Sequence, residues 1–511
     1  MTRRIVLFSL ASMGLGLVSC GEKVEELKKP NVVLIYADDI GFGDLGFNGG
    51  LVKTPNVDKL ASESIRYNNL HCAAATSTPS RYAMLTGEYA WRRPGTGIAG
   101  GDAAMIIKPN RYTLADVFKN AGYQTGVVGK WHLGLGAKTG AQNWNSLITP
   151  NASDIGFDYS YIMAATGDRV PCVWVENGKG VGLSSDDPVE VNYKKNFEGE
   201  PTGKENPELL RLHPSHGHNM SIVNGISRIG YMKGGKSALW RDQDIQDSII
   251  THAVRYIEKA AKSDEPFFLY LGTNDIHVPR DPHERFVGKS GLGRRGDALL
   301  SFDWGVGEVM KALKRLGLDE NTIVMLSSDN GAVIDDGYKD QAVELLGEHK
   351  PTGVYRGGKY STYEGGTRVP CLVRWKNTIK PGVSNSLMCQ IDWFASFANM
   401  LNVVIPEGAA PDSQNHLGAW CNASTKGREY VVMQNVNNNL AITDGEWKFI
   451  PAAKGPVMNI NTNTETGNSD VHQLFNLNKD AGEQNNIYEQ NKEIADKLAA
   501  ELKGIVAAGK K

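Results

Sequence analysis

Asn31-Val32-Val33-Leu34-Ile35-Tyr36 is a run of apolar residues with almost no polar alternation. A strand with one wet face alternates apolar and polar residues. One without alternation has both faces covered, as in a parallel sheet clad by helices. Pro266–Leu271 repeats the pattern, and Gln124–Gly129 and Thr322–Leu326 predict further strands. Helical patterns lie between them: Asn56–Ser64 behind Pro55, Tyr112–Ala121, Asp247–Ala261 and Asp297–Leu316. This alternation predicts an α/β fold, a large doubly wound mixed sheet flanked by helices with its site at the carboxyl edge. Polar clusters stand where that edge should be: Asp38-Asp39, Lys130-Trp131-His132, Asp275-Ile276-His277 and Ser328-Asp329-Asn330.

After about residue 410 the texture changes. Glu429–Gln434, Leu440–Ile450 and His472–Leu477 read as short strands, and Asn491–Lys503 as a terminal helix. A small C-terminal antiparallel sheet with one helix follows, which divides the chain into 30–410 and 411–511 near Pro406, Gly408 and Pro411. Segments 133–245 and 332–358 lack periodicity, and long irregular loops in a compact domain are usually functional. Lys and Arg number 55 against 57 Asp and Glu, a net charge of −2. That balance argues against a nucleic-acid surface but allows a local basic pocket for an anion.

Residues 1–20, MTRRIVLFSLASMGLGLVSC, combine a basic start at Arg3-Arg4 with an apolar run from Ile5 to Val18. The run falls short of the roughly 20 residues that span a bilayer but suits an export signal. It ends in Leu17-Val18-Ser19-Cys20, which resembles the bacterial lipobox, with residues 21–29 as a tether. The expectation is a chain anchored to the membrane through lipidated Cys20, in the periplasm or on the outer-membrane surface. The other cysteines (Cys72, Cys172, Cys371, Cys389, Cys421) form no CxxC pair and fix no connectivity.

Asp38, Asp39, Asp329 and Asn330 are hard oxygen ligands at two predicted strand ends, suited to Ca²⁺ or Mg²⁺ rather than zinc. Asp168-Arg169 lies in the irregular segment and is open to two readings, sugar contact or surface ion pair. His213-Pro214-Ser215-His216-Gly217-His218 would suit a substrate pocket or a structural role better than zinc, there being no cysteine beside it.

Ser77-Thr78-Pro79-Ser80-Arg81, followed by Leu85-Thr86-Gly87, resembles the signature of type I sulfatases, (Cys/Ser)-x-Pro-Ser-Arg then Leu-Thr-Gly. Gly129-Lys130-Trp131-His132, His277-Val278-Pro279, Ser328-Asp329-Asn330-Gly331 and Gly358-Lys359 before Tyr363-Glu364-Gly365-Gly366 follow in the family's order. The resemblance spans about residues 30–490. It implies that Ser77 is oxidised to formylglycine by a serine-type maturase, although an engineered serine would leave the same string. It further implies Ca²⁺ held by Asp38, Asp39, Asp329 and Asn330, and sulfate neutralised by Arg81, Lys130 and Lys359. His132 would act as base in sulfate release and His277 as acid on the leaving sugar oxygen. Asp168, Arg169, His216 and His218 are the candidates for sugar contact. The implied substrate is a sulfated carbohydrate, the arrangement resembling bacterial N-acetylgalactosamine and galactose sulfatases. Two rivals stay open: a phosphatase or phosphonate hydrolase of the same superfamily, and a catalytically silent glycan-binding lipoprotein.

Overall fold

The structure, a computed structural model, describes residues 29–508. Cys20 and the rest of the expected signal lie outside the described residues. In chain order the strands of the main sheet are β1 (Asn31–Ala37), β2 (Ile65–Tyr67), β3 (Gln124–Lys130), β4 (Tyr159–Met163), β5 (Trp174–Glu176), β6 (Lys179–Gly180), β7 (Phe267–Gly272), β8 (Thr322–Ser328), β9 (Cys371–Trp375) and β10 (Gly382–Ser384). They lie side by side as β10-β2-β9-β8-β1-β7-β3-β4-β5-β6. The five neighbours β8, β1, β7, β3 and β4 are parallel, whereas β9 runs antiparallel to β8 and β5 to β4. Five strands therefore deliver their following residues to one edge.

The main helices are α1 (Pro55–Ser62), α2 (Ser77–Thr86), α3 (Leu114–Asn120), α4 (Ile245–Ala260), α5 (Gly293–Arg315), α6 (Trp393–Met400) and α7 (Lys492–Ala508). Successive residues of a strand face opposite ways, and β7 shows what covers each face. Phe267 meets Tyr256 of α4, with ring centroids 6.1 Å apart. Its neighbour Phe268 stacks on Phe118 of α3 at 4.0 Å, and Phe118 in turn meets Phe397 of α6 at 4.9 Å. Both faces are dry, which is why the sequence of β7 has no alternation. Helix α3 begins later than its periodicity suggests because Thr113 caps it. Thr113 Oγ1 accepts from Asp116 N, and Asp116 Oδ2 accepts from Thr113 N at 2.9 Å. Such a box contributes about 0.5–2 kcal/mol.

The C-terminal sheet contains β11 (Val431–Gln434), β12 (Leu440–Thr443), β13 (Trp447–Ile450) and β14 (Gln473–Asn476), antiparallel throughout and in that order. The expected strand 440–450 is thus a hairpin, turned at Asp444-Gly445-Glu446, where Asp444 Oδ1 accepts from Trp447 N at 2.7 Å. Ala495, Leu498 and Leu502 of α7 pack with Ile442, Phe449 and Leu474, and Ala73, Ala83 and Tyr89 share the same cluster. The small sheet therefore shares its core with α2, the helix that opens with Ser77. Among the described residues, no helix is long and apolar enough to cross a membrane.

Candidate active site

Each parallel strand hands a polar residue to the common edge. β1 is followed by Asp38 and Asp39, β8 by Asp329 and Asn330, and β3 ends on Lys130 with His132 two residues on. The turn after β7 carries His277, and the segment after β4 carries Asp168 and Arg169. Asp38, Asp39, Asp329, Asn330, Arg81 and Lys130 are fully buried. Buried charges persist only when paired, and here they pair with one another. Arg81 grips Asp329 Oδ2 through Nε at 3.0 Å and Nη2 at 2.8 Å, and its Nη1 donates to Tyr270 Oη at 2.8 Å. Lys130 Nζ bonds Asp38 Oδ2 and reaches Ser77 Oγ at 3.0 Å. Asn330 Nδ2 donates to Asp39 Oδ1 at 2.7 Å.

Ser77 is the first residue of α2, a helix in which every residue is buried. Its Oγ lies 3.4 Å from Asp38 Oδ1 and 3.2 Å from Asn330 Oδ1. The positive end of the helix dipole points at the same place and favours an anion there. Asp39 at φ 60° and His132 at φ 55° occupy the left-handed region, where non-glycine residues are uncommon outside constrained sites. Gly331 has no room for a side chain, since a Cβ would lie 1.8 Å from Gly365 O. That close approach seats the Lys359 loop against the Asp329-Asn330 turn.

Lys359 Nζ donates to Asp39 Oδ2 at 2.9 Å and to Asp336 Oδ2 at 2.7 Å. Asp336, also bonded by Tyr360 Oη at 2.8 Å, is a member of the site that sequence reasoning missed. It lies in the aperiodic segment 332–358, and its only signal was a carboxylate within a long irregular loop. Tyr270 was missed for the opposite reason, being one apolar position in a buried strand. For Asp39, burial opposes ionisation but Lys359, His277 and Lys130 outweigh it, so its carboxyl is held well below the usual range. For Asp329, burial is likewise outweighed, chiefly by Arg81.

The two histidines present different nitrogens. His132 Nε2 lies 3.0 Å from Ala99 O, so Nε2–H donates there and Nδ1, buried without a partner, is left as an acceptor. Burial and the nearby Lys130 hold this imidazole neutral. His277 uses Nδ1 on Val278 O at 2.7 Å and turns Nε2 inward, 3.9 Å from Asp39 Oδ2 and 4.0 Å from Asp336 Oδ2. Burial, then Lys359, push it down to about 4, with Asp39 and Asp168 pulling the other way.

Ser77, His132, His277, Lys359, Asp168, Arg169 and His218 line one small pocket, with Asp336 and Tyr360 on its wall. Asp168 and Arg169 form an ion pair at 2.9 Å, but one lining this pocket rather than the outer surface. Asp168 Oδ2 also bonds His218 Nε2 at 2.8 Å. His216 stands apart from this group: its ring is 6.1 Å from that of His218, and Nδ1 is 3.1 Å from Ser215 Oγ. Cys72 is buried against the Ala74 and Thr367 carbonyls, clear of the position of Ser77.

The profile of the family described as Sulfatase matches residues 30–403. The chain belongs to the sulfatase family. An N-acetylgalactosamine-6-O-sulfatase of Bacteroides thetaiotaomicron is 52% identical to this sulfatase over 495 residues, 96% of each chain. A solved Bacteroides thetaiotaomicron structure, from work on the metabolism of multiple glycosaminoglycans, superposes with TM-score 0.92 at 52% identity, covering 94% of this chain and 100% of that one. Rat steryl-sulfatase is 30% identical over 420 residues, 76% of this chain and 69% of that one. This sulfatase is accordingly a sulfuric ester hydrolase, and sulfatases in general work through formylglycine and a divalent metal.

Its residues fit such an ion. Three buried carboxylates and the Asn330 amide converge, and one oxygen each of Asp38 and Asp39 lies within 4.8 Å of a His277 ring nitrogen. Burial and the charge of Asp329 push the Asp38 carboxyl up, against Lys130, a sign of crowded negative charge. Four carboxylates, counting Asp336, face the three cations Arg81, Lys130 and Lys359. A divalent ion together with a singly charged sulfate ester makes that set neutral.

Proposed function

We propose that this sulfatase removes the sulfate from O6 of N-acetylgalactosamine or galactose residues in sulfated glycans, using formylglycine at position 77 and calcium. The observation that carries the reading is Ser77 set against Lys130, Asp38 and Asn330, in a chain 52% identical over 96% of its length to an N-acetylgalactosamine-6-O-sulfatase. Asp38, Asp39, Asp329 and Asn330 would hold the calcium, an ion that takes oxygen donors in flexible number and would polarise a sulfate oxygen. A hydrated formylglycine supplies two hydroxyls, one to attack sulfur and one whose deprotonation expels sulfate.

The chain's own groups do the rest. Lys130, 3.0 Å from Ser77 Oγ, favours the ionised nucleophile, and with Arg81 and Lys359 it supplies positive charge where the transferring sulfuryl group develops negative charge. His277 Nε2 protonates the leaving sugar oxygen, and the anionic ester beside it favours the imidazolium that this needs. His132 Nδ1, neutral and unpartnered, takes the proton when sulfate departs. Asp168, Arg169 and His218, already fixed on one another, read sugar hydroxyls. His216, two residues before His218, supports that loop through its backbone carbonyl, 3.0 Å from His218 Nδ1.

Matured enzyme assayed on N-acetylgalactosamine and galactose carrying sulfate at O6, O4 or O3 tests the assignment. Release from O6 alone is expected, and release confined to O4 or O3 would overturn it. The phosphatase rival called for a two-metal site with extra His and Asp ligands. Among the described residues one group of three His and acidic side chains comes within 4.8 Å, Asp38 with Asp39 and His277. The silent-binder rival turns on Ser77, because an unmodified serine has a single hydroxyl and cannot expel sulfate by collapse to an aldehyde.

We also infer a serine-type maturase as the partner that oxidises Ser77, and anchoring through lipidated Cys20 on the periplasmic or outer face of the outer membrane. The supporting features are Ser77 at the head of the signature and the basic, apolar, Leu-Val-Ser-Cys order of residues 1–20.

A further inference from the structure

The pocket around Ser77 has a volume of about 60 Å³. That is small against the roughly 300–1,000 Å³ of sites that enclose a whole drug-sized ligand. A sulfate group placed there leaves most of its sugar, and the rest of a polymer, outside. Ile98 forms part of this pocket's wall and also lines a second, open cleft of about 810 Å³. Arg93, Lys108 and Arg111 line the second cleft, and among the described residues no carboxylate does.

These cations are held by the fold. Glu88, its side chain 3% exposed, lies beneath the cleft and accepts from Tyr82 Oη at 2.8 Å and Arg93 Nε at 3.1 Å, with Arg111 Nη2 at 2.9 Å. One buried carboxylate thus orients two guanidiniums. That of Arg111 is largely buried, while Arg93, its side chain 56% exposed, and exposed Lys108 carry the positive charge that faces solvent. The wall between the two cavities is also fixed. Thr96 Oγ1 donates to Ala90 O at 2.6 Å, and Thr78 Oγ1 accepts from Ala99 N at 3.1 Å while donating to His132 O. The cleft is therefore preformed and cationic, and it adjoins the catalytic pocket across Ile98. Guanidiniums in such a setting favour oxyanions that present paired oxygens, such as carboxylate and sulfate.

Resting on the sulfatase reading above, we propose that this cleft binds the acidic sugars neighbouring the sulfated residue in a polymeric substrate. The enzyme would therefore prefer anionic oligosaccharides to the sulfated monosaccharide. Three substrates test this: N-acetylgalactosamine 6-sulfate, a uronate-containing tetrasaccharide ending in that sugar, and the same tetrasaccharide with its carboxyls reduced. Arg93→Gln and Lys108→Gln suit the test because both side chains are exposed and neither belongs to the catalytic machinery. In the double variant KM for the acidic tetrasaccharide should rise about tenfold, while kcat and monosaccharide turnover stay within about twofold of wild type. The wild-type preference for acidic over reduced tetrasaccharide should shrink with added salt.

A double variant that keeps the full acidic preference overturns the proposal, as does an equal loss on all three substrates. Wild-type enzyme inactive on every one of the three would sink the substrate assignment instead. Binding keeps the two separable: the acidic tetrasaccharide titrated into Ser77→Ala protein should bind more weakly once Arg93 and Lys108 are changed. Unchanged affinity there refutes the cleft whatever the activity shows.

Discussion

At residue scale, Ser77 Oγ lies 3.0 Å from the Lys130 ammonium and within 3.4 Å of two oxygens that would bind metal. Conversion to formylglycine removes two hydrogens, so mass spectrometry of the peptide bearing Ser77 should show that loss in active preparations. Activity should scale with the modified fraction. Ser77→Ala should abolish turnover yet keep sulfated-sugar binding, because Arg81, Lys130 and Lys359 remain to hold the anion. Asp329→Ala strips the buried Arg81 of its carboxylate. Leaving a buried charge unpaired costs about 3–5 kcal/mol, so both the melting temperature and the calcium content found by elemental analysis should fall. Wild-type protein holding stoichiometric zinc without calcium would count against the metal assignment. Gly337 sits at φ 123°, and a Cβ there would lie 2.1 Å from the His218 ring. Gly337→Ala should therefore push His218 off Asp168 and raise KM for the sugar more than it lowers kcat. An unchanged KM would remove His218 from sugar contact.

At element scale, the joint between the small sheet and the catalytic loops is a buried cluster of two carboxylates on one lysine. Lys448 of β13 lies 3.0 Å from both Glu364 and Glu483, and Glu483 Oε2 accepts from Glu364 N at 2.6 Å. Burial pushes Glu483 up to about 7, Lys448 opposing and Glu364 adding to the effect. A carboxyl whose folded pKa exceeds its unfolded one favours the fold while protonated. Its contribution is complete below the unfolded value and is lost as pH rises through about 7. Glu483→Gln keeps an oxygen for Glu364 N and removes the titration. It should gain on the order of 1–2 kcal/mol over wild type at pH 8 and little at pH 5. Melting curves across that range decide the matter, and parallel curves for the two proteins would refute it. The strands of the main sheet show what periodicity can and cannot reveal. β1 and β7 were legible because both faces are dry. The three-residue strands β2 and β10 were not, being too short for any pattern to repeat.

At the scale of the whole molecule, the small sheet shares its buried core with α2, the helix that begins with Ser77. The proposed lipid anchor makes a prediction at this scale. Cys20→Ala should move the protein from membrane to soluble fractions on cell lysis. Wild-type protein found soluble with Met1 intact would refute the lipid anchor. The near-zero net charge of −2 hides an uneven distribution: buried carboxylates with three cations at the catalytic pocket, and a basic cleft beside it.

The sequence by itself determined the fold class, the strand ends that bear chemistry, and the family signature around Ser77. Dry strands, caps and short motifs are local properties, written within a few consecutive residues. Only the tertiary structure decided that Asp336 from an aperiodic loop meets Lys359, and that Tyr270 from a buried strand braces Arg81. It also decided which nitrogen of His132 is free, and that Asp168 and His218, 50 residues apart, form one pair. The same holds for Arg93 and Arg111, which share Glu88 beneath a cleft that no run of residues announces. These are contacts between distant segments, fixed by how the sheet order brings loops together, and no local pattern encodes that order.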